Sequence, residues 1–300
     1  MVRMLVVLGI GVGLGVAAQP TAEALLTWAQ RHWEKVGLGA VEALLADFAP
    51  GGGVAFLGGP ADGLYAGPAL ATGWERFLHA VAPQGLRILP EPRAFPESGL
   101  VHGLLELAGP EGPVTLEAYL RFSPEGQLLG ADYVVVEGLL PRGPQADGEI
   151  GAGEYPQGVE DPRSRVSLFW RNGWVVFLGA LRSPGTGWVA VGFDPVNRMQ
   201  GANYLIAAVT GAGLLVEDHY GTGPTTHRRD RREDLLRAAG RIAGGATVVE
   251  FVIPLDSGDP EDKPLRPGRT YTVLLAYHRS SPSFAVQHTA RGAVQIALEG

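Results

Sequence analysis

The stretch GWVAVGFDPVNRMQGANYLIAAV, Gly187 to Val209, reads as strand, loop, strand. Trp188 to Phe193 is an apolar, β-rich run that stops at a turn cluster, Asp194-Pro195-Val196-Asn197. A second apolar run begins at Ala202, and Met199 sits in the loop between the two. The chain has three methionines, and the other two, Met1 and Met4, fall in a leader-like segment. A methionine where a strand pair opens has two readings. It is a flexible gap filler, or it is a soft thioether ligand that needs a second donor elsewhere.

Outward from this stretch the pattern stays β. From DGEIGAGEY (Asp147 to Tyr155) onward come SRVSLFW, WVVFLGALR, GWVAVGF, NYLIAAV, GLLVEDHY, TVVEFVIPL, TYTVLLAYH and GAVQIAL. Eight β-like segments with turns between them predict an all-β antiparallel sandwich over residues 147–300. Val249, Phe251 and Ile253 fall on one face of their strand and Glu250 on the other. HRRDRRED, His227 to Asp234, reads as the start of a short, solvated helix whose charges compensate locally. The acidic turn with Asp256, Asp259, Glu261 and Asp262 lacks calcium-loop spacing and reads as a surface turn, a weak cation site being the lesser reading.

Toward the N-terminus, residues 139–146 form a Pro- and Gly-dense linker, and the chain before it changes character. Thr21 to about Phe48 is helical in pattern, with Leu25, Trp28, Ala29, His32, Trp33 and Val36 at spacings of three and four and Thr21 placed to cap. A short strand at Val54 to Leu57 and a turn-rich piece lead to a further helix carrying Leu70, Trp74, Phe77, Leu78 and Val81 on one face. Four strand-like runs follow: Leu86 to Leu89, Leu100 to Leu107, Val114 to Phe122 and Leu128 to Val136. Helices and then a strand meander predict an α+β domain over residues 19–138. Residues 1–18 read as a cleaved signal peptide: Arg3, the apolar Leu5 to Val16 and the small-residue site Val16-Ala17-Ala18. The mature chain then begins at Gln19, with no transmembrane span, in a secreted or periplasmic location.

Composition narrows function further. A net charge of −7 and a pI near 5.5 argue against a nucleic-acid partner. With no cysteine, disulfides, iron–sulfur clusters, thiolate zinc sites and covalently attached haem are excluded. No acid/base constellation stands out in the first half. His102 and Glu106 share a strand face with Leu104 and, with Glu117, are candidates to face a pocket, although solvent-side placement is the simpler expectation. His32 and His79 read as packing residues on helices.

The TWAQRHW…AVEALLADFAP opening, the GLYAGPALATGWERF passage and the closing YVVVEG strand resemble the nuclear transport factor 2-like, or SnoaL-like, superfamily. That resemblance implies helices folded on a curved antiparallel sheet, a cone whose interior holds a small-molecule ligand or whose sheet pairs with a second subunit. Some members are dehydratases or isomerases. The second half resembles the DOMON family through DGEIGAGEY, GWVAVGF, RMQGANY, VEDHYGTG, FVIPLDSGDPEDKPL and QHTARGAV. DOMON domains divide into b-type haem binders and binders of sugars or other small molecules. In the haem group a methionine after the GF strand and a histidine near the C-terminus ligate the iron, and Met199 and His288 fill those positions here. The resemblance thus implies noncovalent haem b held by Met199 and His288. Trp188, Phe193, Tyr204 and Phe284 are then candidates for its walls, and Arg198 and Arg291 for its propionates. His219, His227 and His278 are rival ligands, His278 foremost. The expected function is electron transfer with an unidentified redox partner protein or membrane cytochrome rather than enzymatic turnover. The alternatives are an iron-free module for a carbohydrate or apolar small molecule, and an enzyme sited in the cone.

Overall fold

The computed structural model describes residues 18–90 and 92–300; the expected signal peptide, apart from Ala18, lies outside them. Among the described residues no helix is long and apolar enough to cross a membrane.

The first half opens with α1 (Ala22–Gly37), capped by Thr21, whose hydroxyl accepts the Ala24 N–H at 3.2 Å. It continues through α2 (Val41–Leu45), β1 (Phe48–Leu57), β2 (Gly63–Ala66), α3 (Ala69–Val81), β3 (Gly85–Ile88), β4 (Arg93–Phe95), β5 (Leu100–Gly109), β6 (Gly112–Phe122) and β7 (Leu128–Glu137). The sheet runs β2-β1-β7-β6-β5-β3, with β4 also on β5, and all pairs are antiparallel except β1 with β7. One face packs on the helices. Trp33, Trp74, Phe56, Phe77 and Tyr133 fill that space, with Phe56 stacked on Phe77 at 4.5 Å.

The second half holds β8 (Gln157–Glu160), β9 (Ser167–Asn172), β10 (Val176–Arg182), β11 (Val189–Phe193), β12 (Asn203–Thr210), β13 (Gly213–Gly223), β14 (Thr226–Arg229), β15 (Arg237–Ala243), β16 (Ala246–Pro254), β17 (Thr270–Tyr277) and β18 (Ala290–Ala297). They form a five-stranded sheet, β15-β16-β10-β9-β8, and a six-stranded sheet, β14-β13-β12-β11-β17-β18. The two sheets share one core, in which Phe177, Val249 and Phe251 meet Val191, Phe193, Leu205 and Leu275. Eleven strands replace the eight expected. The additional three, β8, β14 and β15, each close an end of a sheet, where one flank is unpaired and a regular apolar alternation is not needed. The expected helix at His227 to Asp234 is instead the end of β14 followed by bends, its main chain paired to β13.

The halves are joined face to face. The outer side of the first sheet, with Ala55, Leu57, Leu100, Tyr119 and Val134, packs on Val176, Leu178 and Val252 of the five-stranded sheet. Within this seam Asp132, fully buried, accepts the N–H groups of Trp174, Val175 and Val176 at 2.7–2.8 Å. A Cβ on Gly173 would come within 2.3 Å of that carboxylate, so glycine lets the β9–β10 turn wrap it. Glu250, on the strand face opposite Phe251 as expected, accepts the N–H groups of Asp147, Gly148 and Glu149 and the Tyr155 hydroxyl. His102 and Glu117 also lie here: they bond to each other at 2.7 Å, and Glu117 takes Arg237 at 2.8 Å. The alternation expected for β5 holds, but the face bearing His102 looks away from the helices, toward the second half. This removes His102 and Glu117 from any pocket under the helices.

Candidate functional site

Alternation along β11, β12 and β17 divides their side chains between two environments. Val189, Val191 and Phe193, with Leu205, Ala207, Val273 and Leu275, enter the inter-sheet core. Trp188, Ala190, Tyr204, Ile206, Ala208, Leu274 and Ala276 face outward, away from the first half, and form a separate apolar cluster. Gly192 lies opposite Tyr204 in register, and a Cβ there would sit 2.2 Å from the Tyr204 ring. Glycine therefore lets that ring lie flat across the strand, and the small Ala190 and Ala276 keep the surface low.

Two loops close over this surface. The first carries Met199 in a tight turn bridged between Asn197 and Gln200, with Arg198 at φ +56°. Its main chain is fastened to β13: Gly201 N–H donates to Gly221 O at 2.8 Å, and Gly221 N–H returns to Ala202 O at 2.9 Å. A Cβ on Gly221 would fall 1.8 Å from the Met199 carbonyl oxygen, so this close approach requires glycine. The second loop, before β18, carries Phe284 and His288. Trp188 Nε1 donates to Val286 O at 3.1 Å and fixes it over the sheet.

Between the loops lies a pocket of about 370 Å³, lined by Trp188, Tyr204, Phe284, Met199, His288 and Arg291 among others. A second of about 270 Å³ adjoins it and shares Met199, Tyr204, Ala276, His288 and Arg291, adding Arg163 and Arg198. Met199 and His288 are half-buried, while Arg198 and Arg291 are exposed at the rim. Burial, and then the Arg291 guanidinium, hold the His288 imidazole below its ordinary pKa. Its neutral form is favoured at pH 7, which leaves a ring nitrogen free to act as a donor.

Of the residues proposed from sequence, Trp188, Arg198, Met199, Tyr204, Phe284, His288 and Arg291 meet at these two adjoining pockets. Phe193 does not. It is 1% exposed inside the inter-sheet core, with its ring 5.3 Å from Phe177, because it has the opposite strand parity to Trp188. Arg163 lines the site without having been assigned to it, and His227, named from sequence only as a rival ligand, lines it too.

The rival histidines are otherwise engaged to different degrees. His278 Nδ1 accepts the Ser280 and Ser281 N–H groups at 3.2 and 2.7 Å, closing the turn after β17. His219 lies between Glu217 and His227, each contact being 2.9 Å. A carboxylate accepting from His219 Nε2 leaves Nδ1 to accept from His227 Nδ1–H. Lys263 stands 4.0 Å from Asp194, outside the pocket lining.

In the first half, an opening of about 500 Å³ is lined by Trp28, His32, Lys35, Asp47 and Phe122. His32 is buried, as its packing role anticipates, but Nδ1 also bonds Asp47 at 2.7 Å, and Lys35 pairs with the same carboxylate. Asp47 falls inside the stretch read as helical, but the helix ends at Leu45 and a turn carries Asp47 back to His32, fifteen positions away, so this contact had no local signal.

Comparison with known proteins gives the second half a partial placement. The family model for the DOMON domain matches residues 165–278. No curated protein matches the chain. The cytochrome domain of cellobiose dehydrogenase from Myriococcum thermophilum is 10% identical, with a TM-score of 0.38 over 47% of this chain and 81% of that one. The cytochrome b domain of pyranose dehydrogenase from Coprinopsis cinerea is also 10% identical, with a TM-score of 0.35 over 44% and 76%. A protein of unknown function with a cystatin-like fold, from Methylobium petroleophilum PM1, is 12% identical, with a TM-score of 0.35 over 41% and 83%.

Proposed function

We propose that the outer face of the six-stranded sheet binds a b-type haem, whose iron Met199 and His288 would hold, and that the protein is an exported electron-transfer component. The supporting observation is the convergence of a thioether and a neutral imidazole, from loops 89 positions apart, on one aromatic-walled pocket. The donor set fits the group, since both are neutral protein ligands that iron accepts. Bound there, haem would supply a one-electron iron couple. Trp188, Tyr204 and Phe284 would exclude water from its faces, and the rim arginines Arg163, Arg198 and Arg291 would pair with its propionates. Gly221 and the Trp188–Val286 bond set the two ligand loops. We read the first half as a nuclear transport factor 2-like cone, with its outer sheet face committed to the sandwich and the His32–Asp47 opening left for a small ligand.

The test is the absorption spectrum of protein expressed with haem supplied, oxidised and then reduced with dithionite. Sharp low-spin α and β bands and resistance to carbon monoxide are expected, because an outside ligand must first displace a protein donor. Met199→Ala should retain part of the haem, turn high-spin, bind carbon monoxide and shift to lower potential. A wild type that stays colourless under haem titration would leave an iron-free binding module as the better reading.

Export rests on the Arg3, Leu5 to Val16 and Ala18 pattern. The intact mass of protein recovered outside the cytoplasm should correspond to a chain starting at Gln19. An uncleaved, membrane-bound product would reverse this assignment.

A further inference from the structure

Away from the haem pocket, the bends from Asp230 to Asp234 and the turn from Asp259 to Asp262 close on the middle of β13. Asp218, Asp234 and Asp262 each present a carboxylate oxygen, and these oxygens lie within 4.8 Å of one another. Asp218 is 4% exposed. Its Oδ1 has no hydrogen-bond partner, and Oδ2 receives only the Asp234 N–H at 3.4 Å. Asp262 Oδ1 and Glu261 Oε2 are buried without partners as well. Buried acceptors without donors are strongly disfavoured, and two on one acidic cluster, Asp218 Oδ1 and Asp262 Oδ1, point to a missing positive group.

Arginine supplies only part of it. Arg232 Nε stands 3.0 Å from both Asp234 oxygens and 3.3 Å from Asp259, and Arg228 pairs with Glu261. Among the described residues no arginine or lysine pairs with Asp218 or Asp262. Ser257 donates to Asp262 Oδ2 at 2.6 Å, leaving Oδ1 free.

We propose that Asp218, Asp234 and Asp262 bind a calcium ion, which ties β13 to the β14–β15 connection and the β16–β17 loop. The donors are carboxylates, with no imidazole or thiolate among them, which selects a hard cation. They come from three separate chain segments, an irregular arrangement that suits calcium's variable coordination better than magnesium's strict octahedron. This site uses no residue of the haem pocket, so its test is independent of that reading.

The experiment uses the full chain, stripped with a chelator and titrated with calcium chloride by calorimetry and thermal melting. One site per chain is expected, with the melting temperature several degrees higher in millimolar calcium and unchanged in equivalent potassium. Asp218→Asn and Asp262→Asn should each weaken calcium binding at least tenfold. Both relieve crowded negative charge, so their metal-free forms should melt no lower than the metal-free wild type. A wild type without calcium heat or thermal shift overturns the site, as does a shift that persists unchanged in both variants. An equal response to magnesium overturns the assignment to calcium.

Discussion

His288→Ala is expected to emerge from gel filtration nearly colourless, with haem affinity reduced by more than the roughly 10–100-fold that losing an outer-shell partner typically costs. With no cysteine available to attach the group covalently, the imidazole is its main anchor. His278→Ala is the control. That ring only closes a turn through Ser280 and Ser281, so its loss should lower the melting temperature slightly and leave the spectrum alone. If His278→Ala lost the low-spin bands while His288→Ala kept them, the proposed haem would stand but the histidine that holds it would have to be reassigned.

Asp132→Ala should be among the most destabilising single changes, costing about 3 kcal/mol or more, because three N–H groups buried in the seam lose their acceptor. It also bears on pH. Burial raises the Asp132 carboxyl to about 7, against the opposing pull of the Val176, Val175 and Trp174 N–H groups. Burial also raises Glu250 to about 7, opposed first by the Tyr155 hydroxyl. Both folded values exceed those of the unfolded chain, 3.8 and 4.5. Their contribution is therefore complete below about pH 4 and is lost as pH rises through about 7. Each group adds a slope of at most about 1.4 kcal/mol per pH unit within that window. The wild-type melting temperature should fall between pH 5 and pH 8, and less steeply in Asp132→Ala. Parallel profiles for the two proteins would refute the role given to Asp132.

Much of the site could be read from local pattern. The β11 and β12 runs announced themselves by apolar content and the turn between them, and Met199 and His288 by their surrounding motifs. The Phe193 assignment failed against a signal that was present, since counting by two from Trp188 puts Ala190 and Gly192 outward and Phe193 inward. Arg163 had no such signal, because only the folding of the sandwich brings its turn to β12 and β17. The acidic group was legible only in part: the turn bearing Asp262 offered a weak cation site as its lesser reading, but Asp218 and Asp234 belong to other segments that only the fold brings to it. The edge strand β15, RAAGRIA, offers no apolar alternation to detect, and its partner β16 supplies the order.

The sandwich has two outer faces, and the chain spends them differently. The five-stranded face is sealed against the first half, whereas the pocket opens on the six-stranded face, and a full inter-sheet core lies between. Packed sheets stand about 10 Å apart, so the first half is separated from the pocket by at least that thickness. It cannot act as a lid on that pocket, nor supply a side chain to it. With the proposed haem bound there, an electron would come and go on the side flanked by the exposed Val286 and Gln287. A carrier docking there would meet only the second half, and the first half would remain free to engage something else at the same time.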